Sequence, residues 1–132
     1  FVFVTIYFST SEAAKSVNSY DSKNISDYFS GIVSFNNNQY RDSYKFLKQL
    51  NGLEEKHPYY SQKYLYSLVN LGKFNEAFNY SIKLEKRKIS SFESDLIIGI
   101  YYLKNKNFVL AQKYFSNIKT RKREYLARSY VC

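Results

Sequence analysis

The residues best suited to chemistry are few and scattered. Glu54 and Glu55 are adjacent carboxylates, the raw material of general acid–base catalysis. They fall in an expected loop without a basic or nucleophilic partner, so they read as surface charge. His57 stands alone before Pro58 and reads as a solvated turn residue. Cys132 is the single cysteine, which leaves no disulfide framework and no thiolate metal site. The four glycines lie singly, so there is no phosphate-cradling loop, and no His/Cys pair has metal-ligand spacing. No catalytic, metal or cofactor-binding residues are expected, and an enzyme is not the expectation.

Charge offers a second chemistry. Twenty Lys and Arg against eleven Asp and Glu give a formal net charge of +9. Two basic runs stand out, Lys83, Lys86, Arg87 and Lys88, then Lys119, Arg121, Lys122 and Arg123. If both lie at equivalent ends of helix pairs they form a basic ridge, a surface for nucleic acid or an anionic membrane whose binding would weaken steeply with salt. Two plainer readings compete. Cations near helix C-termini offset the helix dipole. A chain rich in Lys, Asn, Tyr, Phe, Ile and Ser together also has the composition expected of an AT-rich genome. The ridge is therefore the alternative and not the first expectation.

Which elements would position these groups? At 132 residues the chain suits one domain. Four glycines and one proline argue against a turn-rich β fold. Residues 1–24 divide into an apolar start, Phe1 to Phe8, a small-residue stretch, Ser9 to Ala14, and a polar lead-in. The start is too short to span a bilayer, which takes about 20 residues as a helix. With no initiating Met, it reads as the remnant of a signal peptide and its cleavage zone on a trimmed or partial chain. That reading implies the periplasm or cell envelope, the other expectation being the cytoplasm. Membrane contact is expected only through this segment.

From Ile25 the apolar spacing becomes helical. Tyr28, Phe29, Ile32, Val33 and Phe35 share one face, and Asn36-Asn37-Asn38 ends that helix. A second helix carries Tyr40, Tyr44, Phe46, Leu47 and Leu50, with a stop at Asn51-Gly52. Pro58 suits the first turn of the next helix, and Ser91 suits an N-cap. The stretch Leu71-Gly72-Lys73-Phe74-Asn75-Glu76-Ala77-Phe78 reads as a tight corner between antiparallel helices. Gly72 takes a positive φ there, Phe74 fills the gap between the helices, and Ala77 lets them approach.

The corner recurs every 34 residues. Tyr40, Phe74 and Phe108 hold its aromatic position, and Ser43, Ala77 and Ala111 its small position. Leu50, Leu84 and Ile118 close the second helix, while Gly31, Leu65 and Gly99 hold a close-packing place in the first. With this period and these columns the chain resembles the tetratricopeptide repeat (TPR) family over roughly residues 25–119. Its opening, Ser26 to Gly31, also resembles exported bacterial TPR proteins of undefined role. It departs from the family where a tryptophan-like residue is usual, placing Asp27, Ser61 and Asp95 there.

The resemblance implies an all-α, right-handed α-solenoid of about three helix-turn-helix repeats and the start of a fourth. The TPR domain would span 25–132, with repeats at about 25–57, 58–91 and 92–122 and a partial one at 123–132. It also implies that the first helices line a concave groove. The expected groove residues are Tyr28, Ile32, Phe35 and Asn36, then Gln62, Tyr66, Val69 and Asn70, then Leu96, Ile100, Leu103 and Lys104. So apolar a surface suits a peptide or helix from a partner protein, and the expected function is a non-catalytic interaction scaffold. The positions that would clamp a terminal carboxylate hold Tyr28, Ile32, Lys63, Glu93 and Ile97, only one of them basic.

Overall fold

The computed structural model describes residues 22–50 and 52–129, without the side chains of 125–129. The apolar start and small-residue stretch, with the export reading attached to them, lie outside the described residues. Within them the fold is all-α and helical-repeat-like. The helices are α1 (Ser22–Asn36), α2 (Tyr40–Lys48), α3 (Pro58–Asn70), α4 (Phe74–Lys86), α5 (Phe92–Lys104) and α6 (Phe108–Ser129), with a 3-10 turn at Leu53–Glu55. α1 starts three residues before the expected Ile25.

Three corners share one backbone solution. Asn38, Gly72 and Lys106, spaced 34 apart, have φ of 60°, 71° and 58°. One residue later the N–H groups of Gln39, Lys73 and Asn107 donate to the carbonyls of Ser34, Leu68 and Tyr102 at 2.8, 2.9 and 2.9 Å. These bonds satisfy carbonyls that each helix end leaves without a partner. The N–H groups of Ser43, Ala77 and Ala111 then donate to the carbonyls of Gln39, Lys73 and Asn107, each at 3.0 Å, and open the next helix. Elsewhere Pro58 occupies the first turn of α3 as expected. Ser91 and Ser94 form a reciprocal cap on α5, side chain to backbone N–H in both directions, at 3.2 and 2.8 Å.

Contacts across each corner occur in reverse order along the two helices. Phe35 meets Tyr40 at 5.5 Å between ring centres, Gly31 approaches Leu47, and Lys23 reaches Gln49 at 3.0 Å. α1 and α2 are thus antiparallel, as a three-residue connection requires. α2 and α3 are also antiparallel. Ser43 pairs with Ser67 (3.1 Å), Tyr44 with Tyr64 (6.0 Å between centres), and the Leu47 carbonyl with the Tyr60 hydroxyl (2.8 Å). The core these helices enclose is built from Leu47, Leu50, Leu65, Leu68 and Leu84, with Tyr60, Tyr64, Ala77 and Tyr80. Burying each large side chain contributes roughly 1.5–3 kcal/mol before entropy is counted.

Two expectations need correction. Phe74 does not fill the gap between its helices; it is 56% exposed, and Phe108 is similarly open. The corner is closed instead by backbone hydrogen bonds and by buried Ala77. Glu54 is not loop surface charge. It is 3% exposed, and its carboxylate takes Lys83 Nζ at 2.8 Å and Arg87 Nη1 at 3.4 Å from α4. Burial works against ionisation there, but the Lys83 hydrogen bond leads the effects that outweigh it and hold the Glu54 carboxyl below its usual range. Glu55 beside it is exposed, as expected.

Asp27, Ser61 and Asp95, spaced 34 apart, carry polar ties. Ser61 on α3 bonds the Tyr80 hydroxyl on α4 at 3.1 Å, and Asp95 on α5 accepts from Arg121 on α6 at 2.9 Å. Asp27 on α1 accepts from Lys23 at 2.7 Å, and the same ammonium reaches Gln49 just past α2. The first two ties join the two helices of one pair, whereas the Asp27 bond stays within α1. Finally, the expected boundary at 122/123 falls inside α6, which continues as one helix to Ser129.

Candidate functional site: an apolar groove between α3 and α5

A cavity of about 420 Å³ lies where α3, the start of α4 and α5 converge. Leu65 lies at its buried floor. Tyr66, Val69 and Phe74 line one side, and Leu96, Ile97, Ile100 and Tyr101 the other. The groove exists because α3 and α5 each turn one apolar face toward α4 while a second apolar strip is left toward solvent. Tyr66 and Ile100 are 42% and 51% exposed at its lip. Phe78, on α4 behind the wall, stacks on Tyr101 with ring centres 3.7 Å apart, which fixes that ring in place.

The rim is polar at both ends. Glu93, in the first turn of α5, accepts from Gln62 Nε2 at 2.6 Å and ties α3 to α5. Lys104 and Asn105 stand at the opposite end of α5 beside Asn75. Helical rise over the 11 residues from Glu93 to Lys104 separates the two charges by about 16 Å along the groove.

Of the expected groove residues, Tyr66, Val69, Leu96, Ile100 and Lys104 line this cavity, and Gln62 sits at its end through Glu93. The others lie elsewhere. Tyr28 and Ile32 are half-buried on α1, the Tyr28 ring 5.8 Å from that of His57. Phe35 borders Tyr66 at 6.2 Å, with Lys63 Nζ 4.3 Å above its ring. Asn36 is exposed at the end of α1, and Asn70 turns back to its own helix, Nδ2 donating to the Tyr66 carbonyl at 2.8 Å. Leu103 belongs to a separate depression against α6.

Sequence reasoning missed Phe74, Ile97 and Tyr101 as lining residues. The sequence places Phe74 in the helix gap and Ile97 among the clamp positions. The available signal was the unbroken apolar run Leu96-Ile97-Ile98 with Ile100-Tyr101-Tyr102, too wide for one buried face.

The basic ridge is partly consumed by the fold. Lys83 and Arg87 neutralise buried Glu54, Arg87 also reaches Glu55 at 3.8 Å, and Arg121 pairs with Asp95, which is 1% exposed. Lys86, Lys88, Lys119, Lys122 and Arg123 are exposed. Lys88 also holds a left-handed backbone, φ 60°, at the end of α4.

Comparison with family models, with curated proteins and with solved structures finds no match to this chain.

Among the described residues no three His, Cys, Asp or Glu side chains gather as a metal site, and no helix is long and apolar enough to cross a membrane. Burial pushes the Tyr64 hydroxyl up to about 12 and raises Tyr60, Tyr80 and Tyr114 as well. These hydroxyls sit in the core rather than in the groove, and their shift runs away from neutral pH. What the groove offers chemically is apolar contact bounded by one carboxylate and one ammonium.

Proposed function

We propose that the chain is a TPR-type helical-repeat module, a non-catalytic scaffold that binds the apolar face of a partner peptide or helix along the groove between α3 and α5. The observation that carries this reading is the meeting of Tyr66, Val69, Leu96 and Ile100 in one open apolar cavity with charges only at its ends. The three-fold recurrence of the left-handed corner supports the repeat assignment. A groove of this length accommodates about three turns of helix, whose residues at i, i+3, i+4 and i+7 would enter between Tyr66 and Ile100. An anchoring site of this kind needs apolar area and shape more than charge.

The nucleic-acid or membrane reading of the basic runs is weaker. Lys83, Arg87 and Arg121 are engaged by carboxylates, so binding a polyanion there would compete with ion pairs that hold the helices together. Export to the periplasm or envelope remains part of the proposal through residues 1–14 alone.

The test is a displayed library of amphipathic peptides selected on the full chain, with affinities then measured by fluorescence anisotropy. Tyr66→Asp and Ile100→Asp should each weaken selected peptides by roughly tenfold or more, since a charge placed in an apolar contact costs over 1.4 kcal/mol. Circular dichroism should stay unchanged because both side chains are at the lip. Peptides that bind both variants as tightly as the parent chain would place the site elsewhere.

A further inference from the structure

The depression against α6 is the third copy of an interface that the fold already uses twice. It measures about 500 Å³ and is lined by Leu103, Phe108, Ala111, Gln112, Phe115 and neighbours. Shifted back by 34 residues, Leu103, Ala111 and Gln112 become Val69, Ala77 and Phe78, and by another 34, Phe35, Ser43 and Tyr44. Those earlier positions are where the next first helix docks. Phe35 meets Tyr66 and Lys63, Ser43 meets Ser67, Tyr44 stacks on Tyr64, and Phe78 stacks on Tyr101. At the third copy the described residues supply no such helix. α6 instead continues as one helix to Ser129, nine residues and about 14 Å beyond Thr120.

The matching face is present on α1, the first of the described helices. Residues 63 and 67 on α3, and 97 and 101 on α5, are the ones that dock on the preceding pair, and their equivalents on α1 are Phe29 and Val33. Both are apolar and open, at 61% and 56% exposed, and Ile25 extends the same strip at 43%. Among the described residues, exposed apolar side chains thus stand on both of these matching faces.

We propose that a second copy of this chain occupies the depression, its α1 seating Phe29 and Val33 over Leu103, Ala111 and Gln112, so that copies stack head to tail and continue the intramolecular interface. The contact is heterologous, which leaves a free end of each kind on every dimer and allows longer stacks. Each chain carries +9, so screening should strengthen the stacking as salt rises, the opposite of polyanion binding. The surface shares no residue with the cavity between α3 and α5.

Sedimentation velocity on the full chain tests this. Mass should grow with concentration and with salt, and Val33→Asp or Leu103→Asp should each weaken association roughly tenfold or more. The decisive sample is a mixture of the two variants. Val33→Asp keeps a sound depression and Leu103→Asp a sound α1 face, so the mixture should form one-to-one dimers and nothing larger. Phe29→Ser and Gln112→Lys, at further exposed positions, should reproduce the pattern if an aspartate unsettles its helix. A chain that stays monomeric at every concentration, with its own residues 1–21 or nothing over Phe29 and Val33, overturns the proposal. So does association that Val33→Asp leaves intact, since that is a symmetric contact between like ends. Tyr66→Asp should leave stacking unchanged, which separates this outcome from failure of the groove reading.

Discussion

Gly99 lies so close to Phe115 that a Cβ on the glycine would stand 2.6 Å from the ring's Cε1. The equivalent residues in the first helix pair, Gly31 and Leu47, are as tight, with a Cβ at Gly31 falling 2.6 Å from Leu47 Cδ2. In the middle pair the same two places hold Leu65 and Ser81, both fully buried. The large and small residues have changed sides. Helices approach to a fixed separation, so the volume at this crossing is conserved while its owner is not.

Gly99→Leu should therefore destabilise the chain by about 1–3 kcal/mol through overpacking against Phe115. Adding Phe115→Ser to it recreates the Leu65 and Ser81 arrangement and should recover much of that loss. A double-mutant cycle from urea unfolding measures the coupling. Additive penalties would mean that the two residues do not share one space.

The two buried carboxylates respond to pH in opposite senses. Glu54 is held below its usual 4.5, so it binds protons less readily folded than unfolded; its contribution is present above 4.5 and lost as pH falls through the folded value. Burial raises Asp95 above its usual 3.8 despite Arg121, so its contribution is greatest below 3.8 and declines as pH rises through the folded value. Glu54→Gln should cost about 1–3 kcal/mol at neutral pH by leaving two cations without their buried acceptor. It should also flatten the acid limb of stability. Asp95→Asn should cost far less at neutral pH. Urea unfolding between acid and neutral pH checks both.

Two buried serines make a matched pair. Ser67 Oγ lies 3.1 Å from Ser43 Oγ and 2.9 Å from the Lys63 carbonyl, whereas Ser81 Oγ has no hydrogen-bond partner among the described residues. Ser67→Ala should cost about 1 kcal/mol, and Ser81→Ala should be neutral or stabilising by a similar amount. Thermal unfolding of the two variants side by side gives the comparison.

The left-handed corners predict a third contrast. Lys106 and Asn38 hold a conformation that glycine adopts freely, so Lys106→Gly should stabilise by up to about 1 kcal/mol and Asn38→Gly by less. Gly72→Ala should destabilise by a comparable amount, with open space around the new Cβ leaving backbone strain as the cause. Chemical denaturation of the three variants resolves the signs.

Much of the helical framework was legible. Pro58 and Ser91 mark helix starts through backbone chemistry that any chain shares, and Gly72 marks a stop for the same reason. The corners at Asn38 and Lys106 were legible only as copies of Gly72, since neither residue announces a positive φ. Glu54 was misread because adjacent acids near Pro58 look solvated; nothing local reveals that Lys83 and Arg87 arrive from 29 and 33 residues away. Half of the expected groove residues lie outside the cavity between α3 and α5 for a related reason. A first helix has apolar residues on several sides, and only its neighbours decide which side stays open.

The sequence by itself determined the elements and their period, because helix ends, caps and apolar spacing are short-range physics repeated every 34 residues. Tertiary structure alone decided where the exposed apolar surface lies. It sank Leu65 while lifting Tyr66 and Ile100 to a lip, and opened Phe74 onto the groove. It also seated three cations of the expected ridge, Lys83, Arg87 and Arg121, on Glu54 and Asp95. Those outcomes depend on which helix covers which face, a long-range choice that side-chain type does not encode.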